Sequence, residues 1–303
     1  MVVKKSRRIL SPSEITCFRD CRIKWHFGYV LRRRSTSCGR ARQIGILVHN
    51  GLQAWYSLES MGACYAAISK AADKFEAPGD VHNLAKGIFE HYITYYAADL
   101  ELYEPLIIEK KITEGKVGLK CIPDLVLLER ATGKYFIFDH KVVTNLEINK
   151  VFDTQKIALF KVISERYPLS GIVYNMVRSK VPLIPEPLKN NTRLKKFAPA
   201  STTEAVFKKA LSMHGFRAAD YPDIVKFYKE NKNQFFSRVP VEITLEEIED
   251  FEKSVDIVRK EIAGGILYMN RRWDCERWCD YYADCHTLMD EKPTIVLPKD
   301  EPK

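Results

Sequence analysis

Pro123-Asp124-Leu125-Val126-Leu127-Leu128, a polar turn at Ala131-Thr132-Gly133, and Tyr135-Phe136-Ile137-Phe138-Asp139-His140-Lys141-Val142-Val143 together decide the reading of this chain. Both arms are rich in β-branched and aromatic residues, and the glycine-containing turn between them is hairpin-like. Upstream, Leu106 to Ile112 predicts another strand, with a turn at Glu114-Gly115. Val117 to Leu128 then predicts a single second strand that contains Asp124, so the three arms form a meander. Asp139 and Lys141 stand two apart and share a strand face. Asp124 reaches that face if the arms pair as a hairpin. Two carboxylates and a lysine on one face are costly in a core unless they are paired or hold a metal. Phosphodiester hydrolysis uses this set. Carboxylate oxygens suit Mg²⁺ or Mn²⁺, the ion lowers the pKa of a water, and a lysine steadies charge at phosphorus. Taken alone, Asp-x-Lys is as well read as a surface ion pair, and Glu109 as a solvent-facing strand residue or a remote acidic contributor.

Around this stretch the pattern is helical before and mixed after. Ser11-Pro12 is an N-cap followed by proline at the first helical position, and Ile15, Phe18, Ile23, Phe27 and Val30 extend a helix over residues 11–31. Arg32 to Gln43 reads as a basic loop, Gly45 to Tyr56 as a helix, and 61–100 as helices broken at Ala77 to Asp80. Phe152 to Arg166 predicts a helix and Gly171 to Val177 a strand. Residues 180–200 carry Pro182, Pro185, Pro187 and Pro199 and read as a loop, and 201–264 as mostly helical. The order gives an α/β core behind a helical prefix. The expected organisation is one domain over 1–303. It comprises a helical region at 1–100, the α/β core at 101–180, a basic loop and helices at 181–264, and a Cys-rich cap at 265–303.

Composition narrows the class. The chain has 303 residues, 46% hydrophobic and 29% charged, typical of a soluble globular protein. No apolar run is long enough to span a bilayer, and the basic opening Met1-Val-Val-Lys-Lys-Ser-Arg-Arg lacks the apolar segment of a secretory signal. A cytoplasmic, reducing location is expected. The eight cysteines are then better suited to metal than to disulfides. The net charge of +9 favours an anionic partner. It collects at Arg32-Arg33-Arg34 with Arg40 and Arg42, at Lys189, Arg193, Lys195 and Lys196, and at Arg271-Arg272. No Gly-x-x-x-x-Gly-Lys-Ser/Thr loop is present, so no ATP-driven motor is implied.

Cys275, Cys279 and Cys285 fall within eleven residues, beside Trp273 and Trp278. A tetrathiolate site needs a fourth ligand, and Cys17 or Cys21 could supply it. Four thiolates suit an iron–sulfur cluster or Zn²⁺, and spacing does not separate the two. Cys38 and Cys64 read as ordinary small residues.

These motifs occur in the order of the RecB-like branch of the PD-(D/E)xK nuclease superfamily, which the chain resembles over nearly its whole length. The resemblance rests on Ser11-Pro-Ser13 ahead of Cys21-Arg-Ile-Lys-Trp-His-Phe-Gly-Tyr29, on Gly45-x-x-x-His49, on Pro123-Asp124, on Asp139-His140-Lys141, on Gln155 and on the closing cysteines. It implies a restriction-endonuclease-like fold, a mixed central sheet flanked by helices, with a C-terminal iron–sulfur cap. It implies Mg²⁺ or Mn²⁺ on His49, Asp124, Asp139 and the His140 carbonyl, with Lys141 serving the hydrolytic water and Gln155 positioning DNA or Lys141. It selects a [4Fe–4S] cluster over zinc, and Cys21 with Cys275, Cys279 and Cys285 as its ligands. AddB-type and CRISPR-adaptation nucleases share these features. The implied activity is a metal-dependent DNA exonuclease on single strands or duplex ends, serving recombination, repair, end processing or CRISPR adaptation. A recombination or CRISPR-adaptation protein partner, an oligomer and a phage source all fit the resemblance. A non-catalytic DNA-binding or assembly module of the same fold is the alternative. Two positions depart from the pattern: Leu159 stands where a tyrosine is expected, and Cys121 where glycine is frequent.

Overall fold

The computed structural model describes residues 8–33, 39–114, 118–146, 154–231 and 233–290. Arg34, Cys38, Gly115, Val117, Phe152, residues 1–7 and the cap beyond 290, all part of the expectations above, lie outside the described residues, as does the side chain of Trp278.

The helical prefix begins at Ser11, whose hydroxyl accepts from the Glu14 N–H to cap α1 (Pro12–Asp20). The expected continuous helix breaks at Cys21, which is extended at φ −160°. It resumes as α2 (Arg22–Trp25) and a π-helical turn, His26–Val30. Helix α3 (Arg40–Tyr56) starts inside the stretch read as a loop, and α4 (Met61–Lys74), α5 (Gly79–Tyr95) and α6 (Asp99–Leu102) follow.

The strands differ from the sequence reading in one consequential way. Each of the first two expected strands is split, giving β1 (Tyr103–Ile108), β2 (Ile112–Glu114), β3 (Leu119–Cys121) and β4 (Leu125–Glu129). Asp124 therefore precedes β4 and does not lie within a strand. β2 and β3 form a separate hairpin inserted into the meander. β5 (Lys134–Val143), α7 (Thr154–Ser164) and β6 (Leu169–Arg178) come next. Residues 201–264 hold α8 (Glu204–His214), α9 (Pro222–Glu230) and α10 (Leu245–Gly264), and also β7 (Phe236–Val241), which the sequence reading missed. The chain closes with α11 (Cys275–Trp278) and α12 (Tyr282–Asp290).

The main sheet runs β1-β4-β5-β6-β7, mixed, with only β5 and β6 parallel. Its two faces are sorted by residue parity. Leu125, Leu127 and Phe138 pack with α3, α4 and α5, while Val126, Ile137 and Ile172 pack with α1, α7 and α10. A three-layer α/β/α sandwich results. Its parity sends Asp139 and Lys141 to the α7 side and His140 to the α3–α5 side. A small separate core of Leu194, Phe207 and Leu211 organises part of the segment after β6. No helix among the described residues is long and apolar enough to cross a membrane.

Candidate active site

Three polar side chains meet where β1 ends and β4 begins. His49 projects from α3 with Nε2 2.9 Å from the His140 carbonyl oxygen. A carbonyl only accepts, so Nε2 carries the proton. Nδ1 then faces Glu109 Oε1 at 3.6 Å and Asp124 Oδ2 at 3.7 Å. The ligand atoms of His49, Glu109 and Asp124 all lie within 4.8 Å of one another, a spacing that one divalent ion can bridge.

Backbone geometry explains the convergence. Glu109 follows β1 with φ +46°, a left-handed conformation costing about 1–2 kcal/mol for a residue with a Cβ, and its N–H donates to the Asp124 carbonyl at 3.2 Å. Asp124 accepts from the His140 N–H at 2.7 Å. The His140 backbone thus holds Asp124 by its N–H and His49 by its C=O.

The electrostatics are those of crowded acids. Burial, opposed by His49 and reinforced by Asp139 and Glu109, pushes the Asp124 carboxyl up to about 7. Burial pulls the His49 imidazole down, but the Glu109 hydrogen bond and the two carboxylate charges prevail and leave it raised. A cavity that favours protons at two such groups is also one that favours a cation in their place.

Beside this cavity, on the α7 face, Lys141 Nζ lies 2.7 Å from Asp139 Oδ2. Gln155 joins the pair, accepting from Lys141 at 3.5 Å and donating to Asp139 at 3.4 Å. Asp139 is 3% exposed, whereas Lys141 is 36% exposed and accessible to a substrate. Of the residues singled out from sequence, His49 and Asp124 therefore share the cation cavity, and Asp139, Lys141 and Gln155 form an adjoining triangle. The His140 carbonyl is engaged by His49, although its second lone pair can take another partner. Glu109 replaces Asp139 in the tightest acidic group, and its signal was only an acid at a strand end. Leu159 is buried in the core, so the site usually filled by a tyrosine hydroxyl has none. Tyr174 of β6 instead brings its ring to 5.9 Å from Lys141 Nζ.

A groove of about 670 Å³ leads to Gln155. Ser13, Thr16 and Lys24 line one wall, and Lys111, Lys120 and Ile122 line the other. Among the described residues, no member of the three basic runs noted in the sequence lines it. Several of their members face acids instead, Arg33 with Asp284, Arg40 with Asp80, Arg42 with Asp280 and Lys195 with Glu186. Trp25, Trp55 and Tyr56 are buried in the core and present no face on which a base could stack.

Cys21, Cys275, Cys279 and Cys285 line one cavity of about 290 Å³, while Cys17 lines the groove. Burial, together with the charges of the other three thiols, raises Cys285, so the metal-free form keeps its proton there. Among the described residues no three thiols fall within the 4.8 Å that groups a single-ion site. A tetrathiolate zinc, with Zn–S of about 2.3 Å, would need sulfurs roughly 3.8 Å apart.

A family model for the PD-(D/E)XK nuclease superfamily matches residues 9–286. No curated protein sequence matches the chain.

Proposed function

The chain belongs to the PD-(D/E)XK nuclease superfamily, and from this premise we propose that it is a divalent-metal-dependent deoxyribonuclease of the RecB-like kind, an exonuclease on single strands or duplex ends. The convergence of His49, Glu109 and Asp124 beside Lys141 carries the reading. Mg²⁺ or Mn²⁺ would be held by His49 Nδ1, Asp124 and Glu109, with Asp139 and the His140 carbonyl at its edge, and would supply Lewis acidity at the phosphate. Lys141 donates to the attacking water or to a phosphate oxygen, and Asp139 and Gln155 hold its ammonium in place. The groove takes the DNA strand, its lysines facing phosphates and its hydroxyls adding hydrogen bonds. A [4Fe–4S] cluster on Cys21, Cys275, Cys279 and Cys285 would bind the two ends of the chain together. Recombination, repair or CRISPR adaptation are settings that use such end trimming.

End-labelled DNA incubated with protein purified without oxygen tests the reading. Release of short products in Mn²⁺ or Mg²⁺, stopped by chelation, is expected. Binding without cleavage in either metal would favour a non-catalytic module.

Two further outcomes follow from the site. Metal binding must displace the proton that Asp124 holds up to about pH 7. Mn²⁺ affinity should therefore rise as pH climbs through 7, with proton release measurable by calorimetry in buffers of different ionisation enthalpy. The metal-free protein behaves oppositely. Asp124 binds its proton more tightly folded than at its ordinary value of 3.8, so its contribution to stability is lost as pH rises from about 4 to about 7. Thermal melts with and without Mn²⁺ across that range should diverge with increasing pH. In the groove, Lys24→Ala, Lys111→Ala and Lys120→Ala should each weaken DNA binding and reduce the dependence of log affinity on log salt by about one. Unchanged slopes in fluorescence-anisotropy titrations would place the strand elsewhere.

A further inference from the structure

Beside the cation cavity, on the α3–α5 face of β5 where the His140 ring also meets that of His49 edge to face at 5.7 Å, lies a buried polar chain that no hydrolytic step uses. The His140 ring stacks on Tyr56 at 5.7 Å and 18°. Its Nδ1 is 2.7 Å from the amide nitrogen of Asn175. The same amide donates to the Tyr92 hydroxyl, which is 2.9 Å from the Tyr56 hydroxyl. Tyr56 donates to Asp99 at 2.6 Å, and Arg238 forks onto both oxygens of Asp99. The Arg238 guanidinium lies 3.7 Å from the centre of the Tyr96 ring. Asn175, Tyr92, Tyr56 and Asp99 are each no more than 2% exposed.

Burying an ion pair and its polar neighbours rarely stabilises more than a well-packed apolar core would. Here five elements, α3, α5, α6, β6 and β7, send polar groups toward one imidazole. That imidazole belongs to the one residue whose backbone grips both Asp124 and His49. A shift of the His140 backbone would move both ligands at once. Fixing the ring resists that shift, because the side chain, the N–H and the C=O of His140 are all carried by one Cα.

We infer that Asn175, Tyr92, Tyr56, Asp99 and Arg238 form a positioning network which acts through His140 to hold His49 and Asp124 at the spacing a divalent ion requires. This rests on the metal-dependent nuclease reading. None of the five is a catalytic residue, since none touches the cavity.

The test is Mn²⁺ binding to the full chain without DNA, followed by calorimetry and by the electron-paramagnetic signal of free Mn²⁺. Asn175→Ala removes the contact to the ring, and Tyr56→Phe removes only a hydroxyl while keeping the stack, so at least one variant should fold. Ile88→Val, buried in the same core but outside the network, is the control for lost stability. In both network variants the Mn²⁺ dissociation constant should rise about tenfold or more, the size usual for partners one contact removed from a metal. Ile88→Val should bind as the wild type does. Wild-type affinity in Asn175→Ala and Tyr56→Phe would overturn the inference and leave the nuclease reading intact. A wild-type chain that binds no Mn²⁺ would overturn both.

Discussion

Lys141→Ala should lower the rate of DNA hydrolysis by about 10³-fold, roughly 4 kcal/mol of transition-state stabilisation, with DNA affinity little changed. Lys141 offers the partly exposed ammonium of the triangle, 2.7 Å from a buried carboxylate and within reach of Gln155. Its removal leaves the Asp139 carboxylate buried without that ammonium, while Gln155 still donates to it. Stability should then fall modestly, since a buried carboxylate loses its cation. The rate and stability effects separate experimentally. Single-turnover rates at saturating DNA and Mn²⁺, at a temperature where the variant is fully folded by circular dichroism, report the chemistry alone. A loss smaller than about tenfold would remove Lys141 from the hydrolytic step. Gln155→Ala should produce a smaller loss, since it acts on the water only through Lys141.

The second large effect concerns the ends of the chain. Cys279→Ala should abolish iron binding, leave the protein colourless and detach the segment after α10 from α1 and α2. Among the described residues none after Val258 belongs to the buried core, and Trp273 is 91% exposed. The segment is held instead by local contacts, among them the Tyr281 ring 5.6 Å from that of Phe27, the Tyr268 ring under Arg22, and polar contacts at the surface. Asn270 donates to the Asp20 carbonyl at 2.8 Å, Tyr281 donates to the Arg33 carbonyl at 3.0 Å, and Arg33 meets Asp284 at 3.0 Å. Exposed ion pairs of this kind contribute at most about 1 kcal/mol each. The proposed cluster, by tying Cys21 to Cys275 about 250 residues away, would close a loop whose entropy is on the order of 5 kcal/mol. Loss of the tie should therefore outweigh all the surface contacts. Limited proteolysis should cut Cys279→Ala near residues 266–274 while the sheet stays protected in hydrogen exchange. A variant that keeps the brown colour, or one as resistant as the wild type, would contradict the four-thiol assignment. Cys17→Ala should keep both colour and resistance, because Cys17 faces the groove.

Much of the fold was legible because the deciding residues are close in sequence. The alternation through Leu125 to Leu128 and Tyr135 to Val143 specifies strands with two different faces, and Ser11-Pro12 specifies a helix start. Errors arose where a backbone detail overrides composition. Apolar residues run on either side of Pro123-Asp124, so one strand was read where the chain turns and frees Asp124 to reach the His140 peptide. Glu109 has the same explanation: only its left-handed backbone turns an ordinary strand-end acid toward His49. β7 escaped notice because Pro240 argues against a strand, yet β7 is an edge strand, where proline is tolerated. The network behind His140 could not be read at all. Its members are scattered over five elements and are brought together only by the packing of helices on the sheet.

The most direct test is an anomalous-scattering map from crystals of the wild-type chain soaked in Mn²⁺. The expected result is a peak bound by His49 Nδ1, Glu109 and Asp124, about 2.0–2.2 Å from each ligand atom, which disappears in Asp124→Asn. Protein that cleaves DNA in Mn²⁺ while this cavity stays empty and the ion sits elsewhere would contradict it.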